Sequence, residues 1–485
     1  MRNKTLNKLA VFGLSTFLAT SVFFQTTLTA FAETDYAAEA EARKSLPIQS
    51  NEIENWPAGP AIGAASAILI EANTGTILYS KNIDEQHFPA STTKIMTSLL
   101  AMENIPSLSE MVPFSSEAVY SIESGSSNAG IDVGQELTFE ECLYIMLLYS
   151  ANEVCNAVAE KVSGSIPEFV NLMNQRAVEL GCKNTHFNNT NGLPDDQHYT
   201  TAYDLAMIAK EFFKNETLCK VSGTKSYTIV PSAKQPDTWD MCNHHKMCQG
   251  LEYSYDYFIG GKTGYTNVAR QTLVSCAEKD GMKLICVIMK EESPNQFLDT
   301  TELFNYGFDN FQNVNVADNE TSYVVENTDF FNTNCDVFGS SKPIMSISSD
   351  YFITLPKTAE FADTTSELSY DANDNVSIAT IHYNYNGAAV GDAMVALAAE
   401  DQTTYDFNSP AVDSDKTQDV PAKKNVIFIN ILKVFGIIVG IAALLIGFIV
   451  LRAVIKNYHF SKRRTYQNRR RRKRRKKQKF DYFDI

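Results

Sequence analysis

A serine and a lysine one helical turn apart constrain this chain more than any other feature. The stretch Pro89–Glu103 (PASTTKIMTSLLAME) reads as a helix start, with Ser91-Thr92-Thr93 as cap and first turn. Ile95, Met96, Leu99, Leu100 and Met102 follow at helical spacing and would seat the helix in a core. Ser91 and Lys94, at i and i+3, then project from one face. A hydroxyl is a weak nucleophile until a neighbouring base takes its proton. An amine can be that base once desolvation or nearby positive charge lowers its pKa from about 10.4. The helix N-terminus adds free N–H groups suited to an oxyanion. Alone, S-x-x-K describes many ordinary capped helices.

Two further segments change its meaning. Ser150-Ala151-Asn152 follows the apolar run CLYIMLLYS, and Lys262-Thr263-Gly264 sits within GGKTGYT. S-x-x-K, S-x-N and K-T-G in this order resemble the signature shared by penicillin-binding proteins and class A β-lactamases.

Composition bounds the setting of that chemistry. The 485 residues suffice for two or three domains, and the formal net charge of −15 hides an asymmetry. Of the 42 Lys and Arg, 15 lie between Arg452 and Lys479, so the body between the termini is strongly acidic. Such a body does not attract a nucleic-acid backbone, and nucleic acid is excluded as its partner. At the N-terminus, basic residues precede an apolar segment from Leu9 to Phe24, and Ala30-Phe31-Ala32 offers an A-x-A site. Residues 1–32 therefore read as a cleaved signal peptide. Val426 to Leu451 is apolar apart from Asn430 and Lys433, close to the ~20 residues a bilayer needs. The basic tail 452–485 follows at once and would stay in the cytoplasm. The expectation is a single-pass protein of the cell membrane, anchored by a helix over 426–451, with its body outside the cell.

Nine cysteines in an exported body suggest disulfides, but the count is odd. Cys142, Cys155, Cys276 and Cys286 fall within apparent helices or strands and read as small core residues. The cluster from Cys242 to Cys248 has no standard zinc spacing, so no metal and no cofactor are expected.

Along the body, residues 33–60 read as a polar linker or frayed helix. AASAILIEANTGTILYSKNID reads as a hairpin about Asn73-Thr74-Gly75. FEECLYIMLLYSANEVCNAVAEKVSG reads as helix, break and helix, ending at Gly164. Helices are predicted over Ile166–Leu180, TTAYDLAMIAKEFFKN and Leu298–Phe308. Strands are predicted at SYTIV, FIGGKTGYT and, hinged at Lys279-Asp280-Gly281, QTLVSCAEKDGMKLICVIMK. Strands, then helices, then strands describe an α+β catalytic domain over 61–310, its sheet built from both ends of the segment. From 311 to 400 the pattern becomes a small all-β domain, with TSYVVE, DYFITLP, VSIATIHYNY and AAVGDAMVAL as strands and Asn386-Gly387 as a turn. Residues 401–425 read as an acidic linker to the membrane.

From about Ala64 to Glu400 the chain resembles low-molecular-mass penicillin-binding proteins, the serine-type D-alanyl-D-alanine carboxypeptidases of peptidase family S11. FPASTTKIMT, SIESGSSNAGIDVGQELTFEECLYIMLLYSANEV, GCKNTHFNNTNGLPDDQHYTTAYDLA and GGKTGYTNVARQTLVSCAEKDGMKLI each resemble family blocks, in order. The resemblance implies a β-lactamase/DD-peptidase-like fold: an antiparallel sheet with helices on its faces and an all-helical subdomain. It implies removal of the terminal D-alanine from peptidoglycan stem peptides, acylation by β-lactam antibiotics, and a role in cell wall biogenesis and cell shape. Ser91 would be the nucleophile and Lys94 its base; Ser150 would pass a proton to the departing D-alanine, and Asn152 would hold Lys94 and the substrate amide. Lys262 would add positive potential that keeps Lys94 neutral, while Thr263 and Gly264 align the peptide. The backbone N–H groups of Ser91 and Tyr265 would hold the oxyanion. Two departures stand out. Ala151 replaces the usual Gly, and no Arg follows the strand ending at Met289, where the family binds the terminal carboxylate. Arg270 is the candidate to supply that charge from another direction. Other readings of the same motifs are a DD-endopeptidase, a β-lactamase, or a non-catalytic penicillin-binding scaffold or sensor.

Overall fold

The computed structural model describes residues 35–231, 236, 238–321, 345–370 and 377–397. A hairpin of β1 (Ser66–Glu71) and β2 (Ile77–Lys81) starts the central sheet. Its turn closes on Gly75, at φ 76, while the Glu71 carboxylate accepts from the N–H groups of Asn73 and Thr74 at 2.8 and 2.7 Å. The strands β3 (Phe258–Thr266), β4 (Arg270–Lys279) and β5 (Met282–Glu291) complete it, antiparallel throughout, in the order β2-β1-β5-β4-β3. The sheet is thus drawn from both ends of the catalytic region, as the strand pattern predicts, and β3 with its K-T-G is left at an edge.

Both faces of the sheet are covered, and alternation along β5 shows how. Ile285, Val287 and Met289 enter one apolar cluster; Leu284, Cys286 and Ile288 enter the other. On the first face lies the helical layer, whose centre is a helix over Lys94–Asn104, buried without interruption from Lys94 to Ala101. Around it pack helices over Asn152–Ser163, Ile166–Glu179 and Ala202–Phe212, the first two stopped by Gly164 and Gly181 at φ 78 and 81. A helix over Asn295–Asn310 covers the second face through Phe297, Leu303 and Phe304.

Beyond it, β6 (Phe311–Asn315) pairs with β7 (Phe352–Pro356). A second sheet contains β8 (Thr365–Ser369), β9 (Ser377–Tyr385) and β10 (Ala388–Leu397), with a short strand Met345–Ile347 at the edge. Asn386 and Gly387, at φ 48 and 84, make the tight turn expected there. Three of the four strands predicted in this region are β7, β9 and β10; TSYVVE lies almost wholly outside the described residues. This β region shares its core with the second face of the central sheet: Phe311, Ile353, Leu355 and Val390 join the cluster of Leu78 and Phe304.

The stretch before β1 departs from expectation. A helix over Tyr36–Arg43 is capped by Asp35, whose side chain accepts from Ala38 N–H at 3.0 Å. It is docked rather than mobile: Arg43 Nε donates to Gly63 O (2.8 Å), and Lys81 Nζ donates to Arg43 O (2.8 Å). Farther on, Trp56 is buried, its Nε1 donating to Leu78 O at 2.9 Å and its ring 5.1 Å from Phe311.

All eight cysteines among the described residues are free; Cys142, Cys155, Cys276 and Cys286 are buried, as the small-core reading requires. Among the described residues no helix is long and apolar enough to cross a membrane. The signal peptide, the 401–425 linker, the 426–451 helix and the basic tail expected from the sequence all lie outside the described residues.

Candidate active site

The nucleophile turn differs from a simple capped helix. Ala90–Thr93 form a 3-10 turn, and the α-helix begins only at Lys94. In a 3-10 turn residues i and i+3 eclipse each other, which sets Lys94 directly beneath Ser91. The turn is entered through Ala90 at φ 49, a left-handed conformation that costs a residue with a Cβ about 1–2 kcal/mol. Surrounding contacts hold it there. Pro89 O accepts from Thr92 Oγ1 (2.6 Å) and from Thr272 Oγ1 on β4 (2.8 Å). On the other side lies Gly192, at φ +93, where an added Cβ would come within 1.8 Å of Ala90 O. Gly192→Ala is therefore expected to displace the turn and abolish labelling of Ser91 by a fluorescent penicillin, while circular dichroism retains most of the helix signal.

Lys94 is fully buried, and its Nζ lies 3.0 Å from Ser91 Oγ, 2.8 Å from Asn152 Oδ1 and 2.7 Å from Asn191 O. Burial pulls its pKa down to about 8, against smaller opposing effects of Cys155 and Glu153. A neutral amine fits these three neighbours: two N–H groups serve Asn152 and Asn191, and the lone pair faces the serine hydroxyl. The lowered Lys94 pKa comes from desolvation, and the expected help from Lys262 is not among its causes. Lys262 is itself buried, with Nζ 2.9 Å from Thr263 O. Its pKa is pushed well below the ordinary value by burial first and by the Lys94 charge second.

Ser150 stands where a π-helical turn over Ile145–Tyr149 ends, at φ 67, just before the helix that starts at Asn152. Neither Ser150 nor Asn152 caps that helix; Ala151 holds the cap position without a side-chain bond. Freed from capping, Ser150 Oγ is buried at the cleft wall with no protein hydrogen-bond partner. Asn152 N–H donates to Ser127 O at 2.9 Å, tying a further cleft-lining segment to the same place.

On β3, residues alternate between faces. Gly264 lies against the nucleophile turn: a Cβ there would fall 2.9 Å from Ser91 N and 2.3 Å from Thr272 Oγ1. Only glycine allows the strand so near the serine N–H. Ser91, Ser150, Thr263, Gly264 and Tyr265 line one open cleft of about 600 Å³. The three motifs, up to 171 residues apart in sequence, thus meet in a single site.

Arg270 does not join them. Its guanidinium makes a bidentate pair with Glu292, Nε to Oε1 at 2.8 Å and Nη2 to Oε2 at 2.6 Å, and lies 3.8 Å from the Tyr36 ring centroid. It does not line the cleft. Its Nη1 also lies 3.4 Å from the hydroxyl of cleft-lining Tyr265, so a substrate carboxylate would meet this charge only with Glu292 already paired to it. Conversely, sequence reasoning gave no role to Asn191, Lys246, Gln271 or Gln296. Asn191 supplies a carbonyl to Lys94, and the other three line the cleft. The Cys242–Cys248 segment is structural at its centre. Asn243 Nδ2 donates to Ser222 O and Thr224 O, both at 2.9 Å, and His245 Nε2 lies 2.9 Å from Ser275 Oγ.

Residues 53–293 match the family described as D-alanyl-D-alanine carboxypeptidase, Peptidase_S11. The chain is 37% identical over 255 residues to the D-alanyl-D-alanine carboxypeptidase DacF of Bacillus subtilis, a match spanning 51% of this chain and 63% of that protein. It is 34% identical over 263 residues to the D-alanyl-D-alanine carboxypeptidase of Streptomyces sp. strain K15, covering 51% of this chain and 88% of the relative. Its fold is similar to that of penicillin binding protein 5 from Haemophilus influenzae, with TM-score 0.56 and 24% identity over 70% of this chain and 98% of that one. With the serine–lysine pair, the S-x-N and the K-T-G gathered in one cleft of this fold, the chain belongs to the D-alanyl-D-alanine carboxypeptidase family of serine peptidases, family S11.

Proposed function

We propose that this protein removes the terminal D-alanine from peptidoglycan stem peptides through an acyl-enzyme on Ser91. The observation that carries the reading is the buried Lys94 amine, 3.0 Å from Ser91 Oγ and fixed by Asn152 and Asn191. Lys94 takes the serine proton as Oγ attacks the carbonyl between the two D-alanines. The N–H groups of Ser91 and Tyr265 stabilise the oxyanion. As the C–N bond breaks, the proton passes through Ser150 to the departing amine. Water then attacks the ester, Lys94 again receiving a proton, and the serine hydroxyl is restored. Thr263 and the edge of β3 align the peptide as an added strand. Lys262, buried on β3 with Nζ 2.9 Å from Thr263 O, adds positive potential to the cleft when it is protonated.

β-Lactams acylate the same serine, their leaving group remaining tethered. The protein acts at the cell wall, in its biogenesis and in cell shape, with its body outside the cell, a signal peptide over 1–32 and a membrane anchor over 426–451. The support for that placement is the apolar and basic patterning of the two termini. The test is incubation of the purified protein with a pentapeptide ending in D-Ala-D-Ala and, separately, with a fluorescent penicillin. Released D-alanine and a persistent label are expected. A stable label without turnover would instead favour a scaffold or sensor, and a rapidly lost label a β-lactamase.

A further inference from the structure

Gln296 is 3% exposed and lines the cleft, yet its Oε1 has no hydrogen-bond partner. Its Nε2 donates to Gln271 Oε1 at 3.3 Å, and Gln271 lines the same cleft. In the sheet register Gln271 stands opposite Tyr265, whose side chain shares a face of β3 with Thr263. The two amides form a short chain. Whichever way each is flipped, a pair joined by one bond leaves one carbonyl oxygen and one NH₂ for a ligand.

That pairing selects among ligands. A carboxylate only accepts, so it would meet the NH₂ and leave the buried oxygen unmet. A carboxamide or peptide amide donates and accepts, satisfying both. The surrounding charge agrees. The Arg270 guanidinium is held by Glu292 and does not line the cleft, whose lining carries one cation, Lys246, and one carboxylate, Glu252.

We infer that Gln271 and Gln296 form an amide-reading subsite, so that the enzyme also cleaves D-alanyl-D-amino acid bonds whose C-terminal residue is carboxamidated or continues as a peptide. This rests on the acyl-enzyme reading above and extends it from exopeptidase to endopeptidase substrates. The chemistry balances in the same way. The Ser91 Oγ–carbonyl ester forms, the C–N bond breaks, and the serine proton leaves on the amine of D-alaninamide or of the longer fragment. Water hydrolyses the ester.

The test uses the full chain with two substrates, diacetyl-L-Lys-D-Ala-D-Ala and its C-terminal carboxamide, following D-alanine and D-alaninamide by mass spectrometry. The kcat/KM values of the wild-type protein are expected to agree within about tenfold, since the two amides can meet either terminus. Gln296→Leu should lower kcat/KM for the carboxamide by about tenfold or more, with a much smaller loss on the acid. Gln296→Glu keeps the acceptor and adds negative charge, so it should spare the carboxamide and penalise the acid. Opposite responses of the two variants cannot arise from misfolding. The inference is overturned if the wild-type protein cleaves the carboxamide more than about a hundredfold more slowly, or if each variant moves both substrates together. If neither substrate is cleaved and penicillin leaves Ser91 unlabelled, the acyl-enzyme reading falls, and this subsite with it.

Discussion

Replacing Lys94 by methionine is expected to slow acylation of Ser91 about 10²–10⁴-fold, the range that a positioned general base contributes. Methionine has similar length, so the cavity in the helical layer stays filled. What disappears is the one group placed to take the serine proton, along with the clamp that orders Asn152 and Asn191. Those two acceptors lose a buried donor, at a cost of about 1–3 kcal/mol each. Relief from burying an amine offsets part of that, so the fold should survive. The measurement is the second-order rate of penicillin acylation, with thermal unfolding as control. A rate within threefold of the wild-type value would remove Lys94 from the chemistry.

The pH dependence of acylation is the second large effect, and its sign follows from which form of Lys94 works. The neutral amine is the base, and burial lowers its pKa from 10.5 to about 8. At pH 7 about a tenth of the molecules then carry the free amine; an unshifted lysine would give roughly 3 × 10⁻⁴, some three-hundredfold less. Acylation of the free enzyme by an uncharged-ester substrate should therefore climb about tenfold per pH unit below pH 8 and level off above it. A limb centred below pH 6 would point to a different base. A limb near the ordinary lysine value would mean that the amine is hydrated in solution.

The parts of this site that were legible in the sequence are those carried by contiguous residues. S-x-x-K, S-A-N and K-T-G are local patterns, and the alternation of β3, β4 and β5 shows without help from the fold. Periodicity could not distinguish the 3-10 turn at Ala90–Thr93 or the π turn at Ile145–Tyr149 from ordinary helix, since apolar residues fall at similar intervals in all three. The helix over Tyr36–Arg43 could be read only as a linker or a frayed helix because only Ala40 in it is buried; contacts made by Arg43 and, at its start, Tyr36 dock it. β6 and β8 were missed for the same reason: FQNVN buries only Phe311 fully, and TSELS has no buried residue. A charge read from sequence carries no record of its partner, and Arg270 has one. Glu292 lies 22 residues away and is brought beside it only by the register of the sheet. Asn191 and Gly192 were visible within the block NNTNGLPD, but their contact with the nucleophile turn exists only in three dimensions.

At the centre of this account, one hydroxyl is singled out by the amine beneath it. Peptide mapping of the protein trapped with penicillin tests that most directly. The predicted result is one adduct per chain, on the peptide containing Ser91, absent from Ser91→Ala and strongly delayed in Lys94→Met. An adduct on any other residue, or one that persists in Ser91→Ala, would contradict it.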